Sequence, residues 1–552
     1  MALTITLPDI LPPATANDRP SDRPMTLRFP RLLAGSLVVL ACHAAGAQDL
    51  ADDSGNPRFD IARFDVRGNT LLPAAQVAEL LAAYAGKDRD FGDVQRALEA
   101  LEAAFQARGY KLVTVQLPEQ ELNGGVVVLR VVETRIGRVS VRNNRYFDEA
   151  NVRRALPTLA PGRTPDVDAM SANLRQANEN PSRELALTLQ AGDADDAVDA
   201  VLDVKDSSPW RATVNLDNTG NEQTGKTHMG VMLQHANLFG RDHLASLQYV
   251  TSAEEPGRVK VYGAGYHVPF YDTGDALDVY ASYSNVDSGT VSAGAFDLAV
   301  SGKGAVYGAR YSQALRTRGA YQSALSYGVD VKDFRNSVVL LETELGNDVM
   351  VHPVSIGYQG TLPLAAGQLG AQVTLVRNIP GGKRGAQDDF TLARSDARDD
   401  YTLLRFGASL TQAVGGDWQV RAIANGQFTR DALIPGEQFG AGGATSVRGF
   451  VEREVSNDSG LAVNLETYTP NLCANAGWNC RLLGFYDAAH VHRNHALAGE
   501  LESTTIASAG VGARVVLSTW ANLQLDYGHV LRAGATTRDN ANRLHLRLAL
   551  AY

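Results

Sequence analysis

The chain has 552 residues, long enough for more than one domain, with 44% hydrophobic and 20% charged residues, 52 glycines, 19 tyrosines and a net charge of −10. The negative balance gives a nucleic-acid partner no support, and no run of about 18 apolar residues is present to make a transmembrane helix. Two classes survive: a soluble all-β protein, or a membrane β-barrel that spreads its apolar residues over alternate positions.

Met25 is the expected start, with residues 1–24 upstream of it. Arg28 and Arg31 make a basic n-region, Leu32–Ala41 a short apolar h-region, and Ala45–Gly46–Ala47 a cleavage site before Gln48. Residues 1–47 therefore read as a secretory signal peptide. Cys42 sits in a poor lipidation box, behind Val39–Leu40–Ala41, and leaves with the signal. Residues 48–57 are a short acidic segment with Gly55 and Pro57, a poor helix.

Residues 58–134 alternate between sheet and helix patterns. Phe59, Ile61, Phe64 and Val66 make a first strand with one irregularity, and Gly68–Asn69 turns the chain. Leu72, Val77, Leu80, Leu81 and Tyr84 recur at helical spacing, as do Phe91, Val94, Leu98, Leu101 and Phe105, ending at Gly109. Strands Lys111–Gln116 and Val126–Val132 follow. Residues 135–209 repeat the plan, with strand Gly137–Val141, helices Val152–Leu156 and Val167–Ala177, and strands Leu185–Gln190 and Val198–Val204. Pro181 ends the second helix, because proline cannot continue one. These are two small α+β layer domains, with Glu133–Arg135 as the hinge.

Val66–Arg67–Gly68–Asn69–Thr70, Arg108–Gly109–Tyr110 and Leu117–Pro118–Glu119–Gln120–Glu121–Leu122 resemble the polypeptide-transport-associated (POTRA) domain, and the last stretch resembles a first-POTRA signature. Asn178–Glu179–Asn180–Pro181–Ser182–Arg183 is similar to the matching point of a second POTRA. The resemblance implies an exposed strand edge beside a helix groove, where an extended peptide adds through main-chain hydrogen bonds. A spacer role stays open beside it.

From Trp210 the pattern changes to short alternating segments, sixteen in all between Trp210–Asn215 and Arg543–Tyr552. In the last, Leu544, Leu546, Leu548, Leu550 and Tyr552 share one face, and Arg543, His545, Arg547, Ala549 and Ala551 the other. An even number of such strands, with long and short connections in alternation, predicts an outer-membrane β-barrel over residues 210–552. Cys473 and Cys480 flank a turn on the periplasmic side and are expected to form a hairpin disulfide. His490, His492 and His495 read as a strand end and loop rather than a metal site.

Gly442–Gly443–Ala444–Thr445–Ser446–Val447–Arg448–Gly449–Phe450 lies between two of these strands. On the residues alone it is a loop needing unusual backbone angles. Val447–Arg448–Gly449–Phe450 resembles the signature on the sixth extracellular loop of two-partner secretion transporters, the haemolysin and adhesin activator-secretion family related to BamA. The resemblance implies a loop folded into the lumen, with Arg448 paired to an inward carboxylate. Asp487 is the first candidate, although its face also carries Phe485 and Leu483, and Glu466 is the second. A solvated charge is the alternative.

The implied fold is an all-β sixteen-stranded transmembrane barrel preceded by two α+β POTRA domains. The implied function is an outer-membrane pore that takes an unfolded exoprotein, carrying an N-terminal two-partner secretion domain, from periplasm to cell surface. The same resemblance implies a setting of outer-membrane lipid and lipopolysaccharide, insertion by the barrel assembly machinery, and a monomer. No cofactor or metal is implied, and no nucleotide-binding motif or Ser/His/Asp arrangement points to an enzyme. An insertase and a passive porin are the competing readings; two POTRA units carrying the Leu117–Leu122 signature favour secretion. Many members of the family plug the pore with an N-terminal helix. Gln48–Arg58 is too short both to make that helix and to tether it, so the resting pore is expected to be closed by the Arg448 loop.

Overall fold

The computed structural model describes residues 3–5 and 57–552, apart from 223, 287–289, 294–297, 302, 336–338, 341–342, 345–347 and 476. Except for residues 3–5 and Pro57, the expected signal peptide, Cys42 and the 48–57 segment lie outside the described residues. Leu3–Ile5 forms a strand antiparallel to residues 187–189, at the edge of the second α+β sheet.

In the first α+β unit, Arg63–Arg67 runs parallel to Val126–Glu133, which pairs antiparallel with Val113–Gln116. Helices Ala74–Ala82 and Phe91–Gln106 bury Val77, Leu81, Val94, Leu101 and Phe105 against that sheet. Asp90 caps the longer helix by accepting from the Asp93 amide at 2.9 Å. The expected irregularity in the first strand is a break at Ala62, between Phe59–Ile61 and Arg63–Arg67. A strand that the alternation did not signal, Gly86–Arg89, pairs with Phe59–Ile61. Its sequence, Gly-Lys-Asp-Arg, has no apolar face to read. Glu133 is not a free hinge: its carboxylate accepts from the Thr70 and Leu71 amides at 2.6 and 3.1 Å, which ties it to the first unit.

The second unit has its own core, with Phe147, Leu156, Met170, Leu174 and Leu202 fully enclosed. It docks on the barrel through the run that ends in Arg183. Arg183 and Asp242, a residue of a short barrel turn, form a buried ion pair at 2.9 Å with side chains 0% and 2% exposed. Asn151 and the Tyr271 hydroxyl also donate to Asp242, at 2.9 and 2.8 Å. Asn173 and Gln176 on helix Val167–Ala177 donate to the Tyr271 and Asp275 carbonyls at 2.7 and 2.8 Å. Burying that ion pair is tolerable because Arg183 and Asp242 answer each other's charge and Asn151 and Tyr271 add donors to the carboxylate.

The barrel closes from Trp210–Asp217 to Asn542–Ala551. Of its seventeen strand segments, Val349–Val351 and Pro353–Leu364 both pair with Gln322–Arg335, so they count as one strand broken at His352, and the barrel has sixteen. All neighbours are antiparallel. Alternation sends Leu461, Leu465, Leu482, Val511 and Leu544 to the outer face, each more than 40% exposed there, where lipid covers them. Trp210, Trp418 and Trp520 lie at the end nearest the α+β units, and Tyr249, Tyr262 and Tyr283, with tilted rings 5.0 and 6.4 Å apart, at the opposite end. Among the described residues no helix is long and apolar enough to cross a membrane.

Long connections leave the end away from the α+β units. One carries helix Gln387–Ala393, not signalled by the alternation, whose Phe390 packs with Tyr401, Leu433 and Ile434 in a small apolar cluster over the barrel. On the opposite side, Cys473 and Cys480 are joined in a disulfide with Cα atoms 5.3 Å apart. Arg481 braces this turn with bonds to the Asp417 carboxylate at 2.8 and 3.0 Å, which hold that carboxyl below its usual pKa.

Candidate functional site in the barrel lumen

Residues 430–458 connect strands Trp418–Thr429 and Ser459–Tyr468 and fold inward. The connection enters as a ribbon, Phe439–Ala441 against Val455–Asn457. Two charged ties hold its base. Glu437, 1% exposed, meets Lys332 at 2.7 Å and Arg405 at 3.0 Å. Asp458, 0% exposed, accepts from Arg394 Nη2 at 2.9 Å and from the Leu433 and Asn494 amides.

At the tip, Val447 and Phe450 are fully buried among Ala462, Ala489, Ile506 and Val530. Arg448, between them, is 3% exposed. Its Nε and Nη2 donate to the two Asp487 oxygens at 2.7 and 2.8 Å, a bidentate pair, and its own amide donates to Asp487 at 3.1 Å. Nη1 lies 2.8 Å from Glu466 and 3.3 Å from Asp526. The guanidinium carbon stands 3.6 Å from the Phe485 ring centre. Phe485 is thus why the Asp487 face looks too apolar in sequence: the inward aromatic is the floor under the guanidinium.

The structure brings both sequence candidates, Asp487 and Glu466, to the same cation, so they are not alternatives. Sequence reading missed four other members. Asn464 donates to Asp487 at 2.8 Å, Asp526 pairs with Arg514 at 2.9 Å, and Gly449 donates its amide to His545 Nε2 at 2.9 Å. Gly528 is the fourth, beside Gly449. Their only signal is the inward position each holds in its strand. Further out, Glu454 accepts from the Thr536 and Thr537 amides at 2.6 and 2.8 Å and from both hydroxyls. This carboxylate ties the loop to the last hairpin.

The motif residues of the first α+β unit are placed as follows. Asn69 exchanges two bonds with the Leu72 main chain at 2.8 and 2.9 Å, holding the turn after Gly68. Gly109 ends its helix, and its carbonyl accepts from the Val167 amide at 2.9 Å, joining the two units; Tyr110 packs on the first core. Gln120 pairs with the Val128 main chain like a strand neighbour, at 2.6 and 2.9 Å, and its Nε2 also donates to the Pro118 carbonyl. Leu117 and Glu119 stay exposed. His490 bonds Thr505, and His495 lies in the loop beyond His492.

An outer-membrane barrel entered by its own loop and carrying two α+β units at one mouth is the architecture that both the secretion and the insertase readings require. The family model described as haemolysin secretion/activation protein ShlB/FhaC/HecB matches residues 197–515, and that of the ShlB-type POTRA domain matches residues 59–134. The chain belongs to this family. It is 22% identical over 518 residues to the outer membrane transporter CdiB of Dickeya dadantii, covering 90% of this chain and 87% of that one. CdiB of Escherichia coli O6:K15:H31 is 25% identical, with 73% and 68% covered. The solved structure of CdiB from Escherichia coli superposes with a TM-score of 0.73 at 20% identity, over 92% and 93% of the two chains. The protein is thus an outer-membrane transporter with its POTRA domains in the periplasm.

Proposed function

We propose that the chain captures a large unfolded exoprotein, through that exoprotein's N-terminal secretion domain, and threads it through the barrel to fold as a β-helix outside. Sheet order leaves Val113–Gln116 at an edge among the described residues, with its Val113 and Val115 amides donating to the Tyr110 carbonyl and the Glu102 carboxylate at 3.3 and 2.7 Å, bonds that an added strand would replace; exposed Leu117, Glu119 and Leu122 continue the strand. An extended segment can add there by main-chain bonds whatever its sequence. In this reading folding outside supplies the drive, the chain catalyses no reaction, and it needs no cofactor or metal. It works as a monomer among outer-membrane lipids and lipopolysaccharide after insertion by the barrel assembly machinery.

The observation that carries the reading is Arg448. A cation 3% exposed and met by three carboxylates holds a loop inside a pore that would otherwise conduct. The loop is the resting gate, and it must leave its ring for cargo to pass. The test is Arg448→Ala in cells that also make the cognate exoprotein. The barrel should still insert, export should fall at least about tenfold, and channel behaviour should change. Unchanged export removes Arg448 from the mechanism.

A further inference from the structure

On its lipid-facing side the barrel carries an apolar groove of about 650 Å³ that crosses five neighbouring strands, from His243–Ser252 to Gln322–Arg335. Ala264, Ala281 and Ala309 make its floor, and Leu247, Tyr266 and Tyr307 stand up around it. Register keeps these residues on the outer face. Leu247 pairs with Ala264, Ala264 with Ala281 and Ala281 with Tyr307, and Leu247 and Tyr307 are 62% and 57% exposed. Five strands spaced about 4.8 Å apart make the groove about 19 Å long, the reach of one extended acyl chain.

One end of the groove opens at the periplasmic rim, against the second POTRA unit. There the His243 ring meets the Tyr266 hydroxyl at 2.5 Å. Trp210, 63% exposed and packed on His235 beside Ala245, marks the level of the membrane interface. The turn before His243 carries Phe239, Gly240 and Arg241. Phe239 is 77% exposed at a φ of +59°, a backbone that bulky residues rarely adopt. Arg154, at the end of helix Glu149–Arg154, donates to the Gly240 carbonyl at 2.7 Å. One cation from the POTRA unit and one from the barrel thus stand at the same turn, and both bring their charge to bear on His243. Among the described residues neither forms an ion pair. Asp242 of the turn is taken by Arg183 at 2.9 Å, and Glu149 of the helix by Arg153 at 2.6 Å.

We infer that this groove and corner form a site for one anionic glycerophospholipid of the periplasmic leaflet, with its phosphate between Arg154 and Arg241 and one acyl chain on the alanine floor. The bilayer fills the groove with a lipid tail in any case; the two cations at its end select the head. Two like charges held at one turn repel, and a phosphate between them offsets that repulsion. Each guanidinium can give a phosphate two parallel hydrogen bonds. Phe239 beside them supplies the apolar half of an interfacial contact. Because Arg154 belongs to the POTRA unit and Arg241 to the barrel, the lipid joins the two across the membrane surface. The site is independent of what the pore carries.

The test uses the full chain purified in detergent, with lipid titrations read by native mass spectrometry. The probes are phosphatidylglycerol and phosphatidylethanolamine with the same acyl chains. One phosphatidylglycerol should bind at least about tenfold more tightly than phosphatidylethanolamine. Arg154→Gln with Arg241→Gln should erase that preference, while Arg154→Lys with Arg241→Lys should keep most of it. Ala264→Phe with Ala281→Phe fills the groove and should weaken phosphatidylglycerol at least about fivefold. Heat-modifiable migration of the folded barrel should be unchanged in all three variants. Equal binding of the two lipids by the unaltered protein means annular lipid only and overturns the site. A preference that survives the glutamine pair overturns it as well, and so does a filled groove that binds as tightly as the open one.

Discussion

Gly449 and Gly528 touch backbone to backbone: a Cβ on Gly528 would stand 2.6 Å from the Gly449 nitrogen. Gly449 also has a φ of +92°, which other residues rarely adopt. The inserted loop therefore reaches the barrel wall only where a strand offers no side chain. Gly528→Ala should leave the barrel folded, since the site lies mid-strand in an intact ladder, but should push the tip from its seat. Single-channel conductance is expected to rise. An unchanged conductance would mean the tip has room that this contact denies.

Arg448 and Asp487 share three hydrogen bonds, counting the Arg448 amide. Removing one partner of a buried pair typically costs about 3–5 kcal/mol, because the other charge is left uncompensated. Arg448→Ala and Asp487→Ala should each loosen the loop, and the double variant should be little worse than either alone. A double-mutant cycle on the closed-to-open ratio should give a coupling of at least about 1 kcal/mol. Strict additivity would reject the pairing as a functional unit. Glu466 and Asp526 remain beside Arg448 in the Asp487 variant, so the residual closure measures their share.

Glu454 is the outer tie of the same loop. Its four bonds to Thr536 and Thr537 couple the loop to the last hairpin. Glu454→Ala should raise conductance by less than Arg448→Ala does, since the inner ring still holds. Thr536→Val with Thr537→Val removes the two hydroxyl donors and keeps the amides, and should fall between Glu454→Ala and the unaltered protein. If Glu454→Ala opens the pore as far as Arg448→Ala, the two ties are one cooperative lock.

The first POTRA unit has its own core and meets the second through few groups, chiefly Gly109–Val167 and Lys111–Asp168. Deleting residues 58–133 should abolish co-precipitation of the exoprotein while the barrel still conducts ions. Capture and export that survive the deletion would make this unit a spacer.

Much of the barrel was legible because its rule is local. A strand with lipid on one side and water on the other must alternate with a period of two, and Leu544 to Tyr552 state that rule in nine residues. The POTRA helices were legible for the same reason at a period of 3.6. Gly86–Arg89 was not, because an edge strand of one glycine and three charged residues has no period to detect. That Glu133, at one end of the Glu133–Arg135 connection, is tied to the first unit was not legible, because its partners, Thr70 and Leu71, lie far away in the chain.

The sequence by itself determined the two-faced alternation of strands such as Leu544–Tyr552 and that the loop carries a cation. It did not determine which carboxylates answer. Asp487, Glu466 and Asp526 sit on three different strands, and whether they stand at one height depends on the register summed around the closed barrel. No window of sequence contains that quantity. Closure also decided that Phe485 would lie beneath the guanidinium, and that Gly528 would stand where the tip needs an absent side chain. Alternation assigns a residue to a face; only the assembled wall assigns it a neighbour.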